Sequence, residues 1–386
     1  MDFSLTDEQI AFKQTAKQFA TKELQPNAAT WDRESYFPVE VIKKAAELGF
    51  LGLYTSTDYD GLGLSRLDSA MVFEALAWGD TSVASYMTIH NMVCWMIGEY
   101  GSASLAQQYV PQMVSGELLG SYCLTEANAG SDAASLRTKA DREGNYYLLT
   151  GEKAFISGAG ATEVLVVMAR TGAAGPKGIS AFVVDANSEG IEYGKSEHKM
   201  GWKAQPTRTI SFNKVKVPVA NRLGEEGEGF TMAMKGLDGG RINIGICAVG
   251  TAQAALETAT NYVKERSQFG RPIADLQSVQ FKLADMLTQT ITARHMLYLA
   301  ASKVDSHDPQ AGVYCAMAKR LATDLSFEVA NQALQLHGGY GYLNDYPLER
   351  HVRDLRVHQI LEGTNEIMRV IISRQLLQED GLGQLY

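Results

Sequence analysis

Glu362 is the residue whose immediate surroundings most suggest chemistry. It stands in Gln359-Ile360-Leu361-Glu362-Gly363-Thr364-Asn365-Glu366-Ile367, between an apolar dipeptide and a glycine, just before a helix that Thr364 can cap. A carboxylate beside Ile360 and Leu361 is open to desolvation, which raises its basicity toward neutral pH; a solvated loop carboxylate is the commoner fate of a lone Glu. Tyr122-Cys123-Leu124-Thr125-Glu126-Ala127-Asn128-Ala129-Gly130-Ser131-Asp132 runs from a strand into a loop of small and hydroxyl residues. Its N–H and O–H groups suit a polar heterocycle or a phosphate, or simply form a turn. Gln335-Leu336-His337-Gly338-Gly339-Tyr340-Gly341 follows a helix, and a glycine there is first of all a C-cap. Three glycines in four residues exceed what a cap needs and let a phosphate approach the backbone. Arg374 falls on the apolar stripe Ile367, Val370, Ile371, Leu377, where a guanidinium needs an anion, either a carboxylate partner or a ligand phosphate.

Three regions of different periodicity must position these segments. A chain of 386 residues suggests two or three domains at roughly 150 residues each. Residues 1–120 read as helices. Thr6 and Gln9 form a capping box with Leu5 and Ile10 as its staple, and Phe12, Ala16, Phe19 and Ala20 continue at helical spacing. Pro38 opens another helix, and Ser65 to Trp78 and Val83 to Ile97 are again apolar. Residues 121–228 change character. Leu148 to Thr150, Val164 to Ala169, Ile179 to Val184, Thr209 to Phe212 and Val215 to Val219 are split by turn clusters, which predicts a β-sandwich or barrel. In residues 229–386 the helical period returns, with Met317, Leu321, Leu325, Val329 and Ala333 on one stripe and Ala284, Leu287, Ile291 and Tyr298 on another. Short loops there predict an antiparallel helical bundle. The expected class is α+β, mainly α.

Composition removes several function classes. The net charge of −9 is spread along the chain, which argues against nucleic acid or an anionic membrane as partner. No apolar run approaches the roughly 20 residues of a membrane-spanning helix, so a soluble protein is expected. Met1-Asp2-Phe3-Ser4 shows no export or organelle address. The four cysteines lie far apart without a CxxC, which fits a reducing compartment, and the seven histidines show no metal-binding spacing. None of the 36 glycines begins a GxGxxG, and Gly194-Lys195-Ser196 lacks the earlier glycine of a phosphate-binding loop. A dinucleotide would have to be held in another way.

Together, in order and separation, these segments resemble the acyl-CoA dehydrogenase family over essentially the whole chain. The family's YCxTEPxAGSD-like, RxxFG, QxxGGxG and EGT segments stand here as Tyr122 to Asp132, Arg266 to Gly270, Gln335 to Gly341 and Glu362 to Thr364. Ala127-Asn128 departs from the family's usual Pro and small residue, which bears on loop stiffness. Lys153 to Gly160, with Phe155 where most relatives have Trp, resembles the branch that oxidises isobutyryl-CoA to methacrylyl-CoA in valine breakdown. Gly239-Gly240-Arg241-Ile242-Asn243 and His358 to Gly363 are similar to the same branch.

The resemblance implies FAD held between the β domain and the C-terminal bundle of a homotetramer, with electron-transferring flavoprotein as acceptor. Tyr122, Leu124, Thr125, Ser131, Phe155, Ile156 and Ser157 match positions around the flavin ring. Arg266, Gln268, Leu276 and Gln277 match positions along the rest of the cofactor, joined by Gln335, Leu336, His337, Gly338 and Gly339 from a neighbouring subunit. Thr364, Asn365 and Glu366 match further FAD contacts, and Ser131, Asp238, Arg241, Gly363 and Arg374 match acyl-CoA contacts. Glu362 would take the α-proton as hydride passes from Cβ to the flavin, while its backbone N–H and a ribityl hydroxyl polarise the thioester carbonyl. Some relatives carry the base at the position of Gly240, where glycine cannot serve. The alternatives are 2-methylbutyryl- or butyryl-CoA as substrate, an oxidase using O₂, or a catalytically silent scaffold. The expected compartment is the cytoplasm of a prokaryote, or the mitochondrial matrix for a processed eukaryotic chain.

Overall fold

A computed structural model describes residues 4–385. Met1, Asp2 and Phe3 of the start read above for a leader lie outside the described residues. Helices α1 (Asp7–Phe19), α2 (Ala28–Glu34), α3 (Val39–Ala46), α4 (Arg66–Gly79), α5 (Thr81–Tyr100) and α6 (Ala103–Val114) form the N-terminal region. The Thr6 and Gln9 box is present, with both reciprocal hydrogen bonds. A π-helical turn at Ala20–Leu24 and the short α2 extend this region beyond its apolar stripe. α4 and α5 are buried on nearly every side, so their sequences are apolar almost without period.

The middle region is a sheet of β1 (Gly120–Cys123), β2 (Lys139–Glu143), β3 (Tyr146–Ser157), β4 (Val164–Arg170), β5 (Ile179–Asp185), β6 (Ile191–Tyr193), β7 (Thr207–Pro218) and β8 (Arg222–Leu223). Its order is β6-β7-β3-β2-β4-β5-β8, with β1 parallel to β4. β2 meets β4 at the single pair Lys139 and Arg170. The two halves of the sheet therefore close over one core, which includes Tyr147, Leu149, Phe182, Ile210 and Val217. Val164, Val166 and Met168 face away from that core and pack among residues of α5, α6 and the following helix. Both faces of β4 are covered, which is why it reads as a continuous apolar run. The runs at 209–212 and 215–218 belong to one strand, β7, whose register against β3 shifts twice, and Val219 opens the 3-10 turn after it.

The C-terminal region consists of α7 (Gly229–Glu265), a hairpin of β9 (Ser267–Gln268) and β10 (Arg271–Pro272), α8 (Gln277–Asp305), α9 (Ala311–His337), α10 (Leu348–His358) and α11 (Asn365–Leu376). α7 and α9 meet through small residues. Ala248, Ala252, Ala255 and Ala259 on α7 lie in one cluster with Val329, Ala330 and Ala333 on α9. Most of the stripe predicted on α8 faces outward: Leu287 is 48% and Ile291 40% exposed, Tyr298 alone of that stripe packs against the core, and Met286, Thr290, Ala293 and Leu297 point inward. No helix among the described residues is long and apolar enough to cross a membrane.

Candidate active site

Between α10 and α11 the chain makes a turn in which two successive residues are left-handed, Glu362 at φ +56° and Gly363 at φ +89°. Glycine tolerates this conformation, whereas a glutamate held in it is strained. Thr364 then caps α11, its hydroxyl accepting from the Ile367 N–H at 3.2 Å. The turn throws the Glu362 carboxylate against α7 at Gly240. A Cβ on Gly240 would overlap Oε2 and stand 3.0 Å from Cδ, so the glycine makes room for the carboxylate. Oε2 is enclosed and has no hydrogen-bond partner, and the Glu362 backbone N–H is likewise unbonded among the described residues. Burial pushes the carboxyl up to about 7, against the opposing pull of Arg241 and Lys319. An unpaired acceptor of this basicity beside a free N–H donor is equipped to take a proton next to a carbonyl.

Arg241 packs beside this turn. Its Nη1 donates to Asp238 at 2.5 Å, and its Nε reaches the Glu362 carbonyl at 3.4 Å. Burial raises the Asp238 carboxyl above its usual range in spite of that pair. On the sheet side, Tyr122 brings a buried phenol without a partner, raised well above its ordinary value by burial and secondly by the Glu362 charge. Leu124, Thr125 and Ser131 follow on the loop after β1, with the Thr125 carbonyl accepting from the Ala154 N–H at 2.9 Å. β3 bulges between Lys153 and Ile156, two residues facing one on β7. Within the bulge Phe155 has φ +58° and is 66% exposed, an apolar ring turned out of the sheet, while Ile156 is buried and Ser157 half-buried.

A second cluster lies at the far end of α7. Arg266, Gln268, Ile273, Gln335, Leu336, His337, Gly338 and Gly339 line a cavity of about 420 Å³, with Leu276 and Gln277 opening α8 just after Ile273. His337 stacks on Tyr262 at 4.0 Å between ring centroids and keeps an enclosed Nε2 without a partner. Each glycine there has its own reason. Gly338, at φ +58°, ends α9 as the C-cap, Gly339 faces open space, and a side chain on Gly341 would strike the Leu334 carbonyl.

Three expectations are corrected. Gln335 to Gly339 stand in the same cavity as Arg266 and Gln268 of the same chain, so one subunit presents the whole cluster and no division between subunits occurs within it. Asn365 is buried, and its side chain is bound to Lys319, Thr323 and Asp324, leaving nothing for a cofactor. Arg374 is exposed and pairs with no carboxylate among the described residues, which removes the argument from a buried apolar face and leaves its match to an acyl-CoA contact untouched. Its stripe faces outward, with Leu377 84% exposed, because the inner face of α11 is Asn365, Met368 and Gln375. Thr364 and Gly363 stay beside Glu362, whereas Glu366 is exposed and bonded to Arg369 at 3.2 Å.

Sequence reasoning missed Lys153, Glu126 and Lys319. Lys153 is wholly buried and donates to the Leu124 carbonyl and to Glu126 Oε1, both at 2.9 Å. Glu126 also accepts the backbone N–H groups of Arg137 and Thr138, and so ties the loop after β1 to β3. Lys319, on α9, reaches the Gly363 carbonyl at 2.9 Å. Lysines at apolar helix or strand positions were the available signal.

Residues 6–117, 121–215 and 227–377 match the family models for the N-terminal, middle and C-terminal domains of acyl-CoA dehydrogenase. Isobutyryl-CoA dehydrogenase, mitochondrial, of Bos taurus is 52% identical over 97% of this chain and 90% of its own length. The solved butyryl-CoA dehydrogenase of Megasphaera elsdenii superposes with a TM-score of 0.95 at 40% identity, covering 98% of this chain and all of that one. The FAD complex of PigA superposes at 0.94 with 31% identity, over 97% of this chain and 99% of that one.

Proposed function

This chain belongs to the acyl-CoA dehydrogenase family, whose members are FAD-dependent oxidoreductases, and on that premise we propose that it dehydrogenates isobutyryl-CoA to methacrylyl-CoA. The observation that carries the chemistry is the enclosed, unpartnered Glu362 Oε2, near pKa 7, in the space that Gly240 leaves free. An acyl Cα–H is a weak acid, so its removal needs a base and a polarised carbonyl together. Glu362 Oε2 takes the α-proton, and the Glu362 N–H donates to the thioester oxygen as enolate-like charge develops. Arg241, oriented by Asp238, holds the turn through the Glu362 carbonyl, and Gly363 and Ser131 border the thioester. The isobutyryl preference is supported by Phe155, Gly239-Gly240-Arg241 and the Bos taurus relative.

The residues present fit FAD. Tyr122 offers an enclosed hydroxyl without a partner and Phe155 an exposed ring, and the remote cavity has the orphaned His337 Nε2 beside Arg266. Tyr122, Leu124, Thr125, Ser131, Phe155, Ile156 and Ser157 would hold the isoalloxazine end, with Thr364 nearby. Arg266, Gln268, Leu276, Gln277 and Gln335 to Gly339 would hold the adenine end. Bound FAD supplies the two-electron oxidation that the side chains cannot. Arg241 and Arg266 lie 25 residues apart on α7, roughly 38 Å along the axis at 1.5 Å per residue, too far for one dinucleotide to touch both ends in one chain. A neighbouring copy would therefore supply the second cluster, in keeping with a homotetramer. Phe269, 91% exposed at the tip of the β9–β10 hairpin, and the outward Phe281, Leu287 and Ile291 give such a copy an apolar surface to cover. Electron-transferring flavoprotein is the proposed acceptor, in the cytoplasm or in a mitochondrial matrix.

Anaerobic titration with a panel of acyl-CoA thioesters tests the substrate. Isobutyryl-CoA should give the highest kcat/KM, with partial activity on neighbours, because one methylene is worth only about 1–3 kcal/mol in a pocket. Octanoyl-CoA outperforming every short branched chain would overturn the assignment. Reduction that reverses rapidly in air would instead favour an oxidase.

A further inference from the structure

Lys319 is wholly buried on α9 among Cys315, Ala316, Ala318 and Ala322, where an apolar residue would be expected. A buried ammonium is costly unless paired, yet no carboxylate among the described residues lies within ion-pair distance of it. Its two hydrogen bonds go to neutral acceptors, the Gly363 carbonyl and Asn365 Oδ1, both at 2.9 Å. Asn365 is fixed in turn by Thr323 and Asp324. The ammonium thus holds the residue directly after Glu362, in the second of the two left-handed conformations.

Resting on the reading of Glu362 as the base, we propose that Lys319 is its positioning residue. Its ammonium clamps the Gly363 carbonyl, so that the carboxylate is aimed over Gly240, and its uncancelled charge offsets the burial of that carboxylate. The charged and titratable groups acting on Glu362 are Arg241 of α7, Lys319 of α9 and Tyr122 of β1; Asp238 pairs with Arg241, Asp324 and Glu366 act on Lys319 and pair with Arg369, Arg66 of α4 lies beyond Gly239, and His358 of α10 faces Lys319. Arg241 is tied to Asp238, which cancels part of its charge; Lys319 has no such partner. The carboxyl stands at about 7 although burial drives it upward, and burial lowers the ammonium to about 8. Between those values both groups are charged.

The test compares the wild-type holoenzyme with Lys319→Met, Lys319→Arg and Glu362→Gln. Difference infrared titration without substrate follows the protonated carboxyl band, which is assigned to Glu362 by its loss in Glu362→Gln. In Lys319→Met that midpoint should rise by about one pH unit, and kcat near neutral pH should fall roughly fivefold, recovering as pH rises, with KM little changed. Lys319→Arg keeps its charge at every pH, so it should keep the wild-type midpoint and the wild-type kcat near neutral pH. An unmoved midpoint in Lys319→Met, accompanied only by lower Tm or flavin content, would reduce Lys319 to a structural role. If Lys319→Met does not fold, Lys319→Gln, which keeps polarity without the charge, takes its place, and an unmoved midpoint in that variant overturns the proposal. Failure of the substrate assignment shows separately, as no flavin reduction by isobutyryl-CoA in wild type, and leaves the infrared titration intact.

Discussion

At the scale of single residues, the site depends on one carboxylate and the absence of one side chain. Glu362→Gln keeps the size and hydrogen-bonding reach but cannot accept a proton. It should retain FAD and an ordinary oxidised spectrum, while flavin reduction by substrate slows by ~10²–10⁴, the usual loss with a general base. Stopped-flow reduction checks this, and near-normal rates would mean that another group takes the proton. Only the ionised carboxylate accepts a proton, so wild-type kcat/KM should rise with pH through about 7 and fall roughly tenfold per unit below it. Gly240 supplies the complementary test. Its Cα lies beneath the carboxylate, so a Glu grown from that position reaches the same space only once Glu362 is removed. The double change Glu362→Gly with Gly240→Glu should recover part of the rate lost in Glu362→Gly alone, whereas Gly240→Glu by itself should be poorly active from overlap and like charge. Equal rates for the double variant and Glu362→Gly would show that the two positions do not serve the same Cα–H.

At the scale of elements, the loop after β1 is held to β3 by Lys153 and Glu126. Burial favours the neutral acid at Glu126, but the Lys153 charge and the hydrogen bonds from Lys153, Thr138 and Arg137 outweigh it and hold the carboxyl below its usual value. A folded value below the unfolded one adds stability above the unfolded pKa, and that stability is lost as pH falls through the folded value. Lys153→Met leaves Glu126 buried with only backbone donors, and breaking such a pair costs about 3 kcal/mol at pH 7. Calorimetry should show Tm lowered by several degrees together with weaker FAD retention, because the same loop carries Thr125 and Ser131; unchanged values for both would remove the joint from the site. The strands were legible where apolar runs are short and bounded by turns, as at Val164 to Ala169. β2 was not, because Lys139 to Glu143 is polar and mostly exposed and owes its conformation to pairing with β3. The α8 stripe was read with the right period and the wrong direction, since Leu287 and Ile291 are apolar for a surface outside the chain's own core. Glu362 could be picked out from its neighbours in sequence. Lys319 carried the signal of a lysine at an apolar helix position, but its role was not legible, because its partners Gly363 and Asn365 are 44 and 46 residues away and only the fold brings them to α9.

At the scale of the whole molecule, α7 sets a distance that decides how many chains make one site. The Glu362 turn meets that helix at Gly240, about a third of the way along it, and the Arg266 cavity lies at its C-terminal end, so each chain carries two halves that cannot meet within it. Two copies related by a two-fold axis would pair each Glu362 region with the other chain's cavity, giving two identical composite sites per pair. Complementation between defective chains follows from this. Glu362→Gln has an intact cavity and no base, while Arg266→Ala with Gln268→Ala has an intact base and a damaged cavity, and each alone should be nearly inactive. In a mixed pair, one composite site combines the intact base of one chain with the intact cavity of the other, and the second combines both defects. Random pairing of equal amounts makes half the pairs mixed with one good site each, so co-expression should restore roughly one quarter of wild-type activity. Purification through different tags on the two chains isolates the mixed species, which should then show about half the activity and half the flavin reducible by substrate. If both halves of a site came instead from the same chain, every site in the mixed species would carry one defect or the other, and activity would stay at the level of the separate variants.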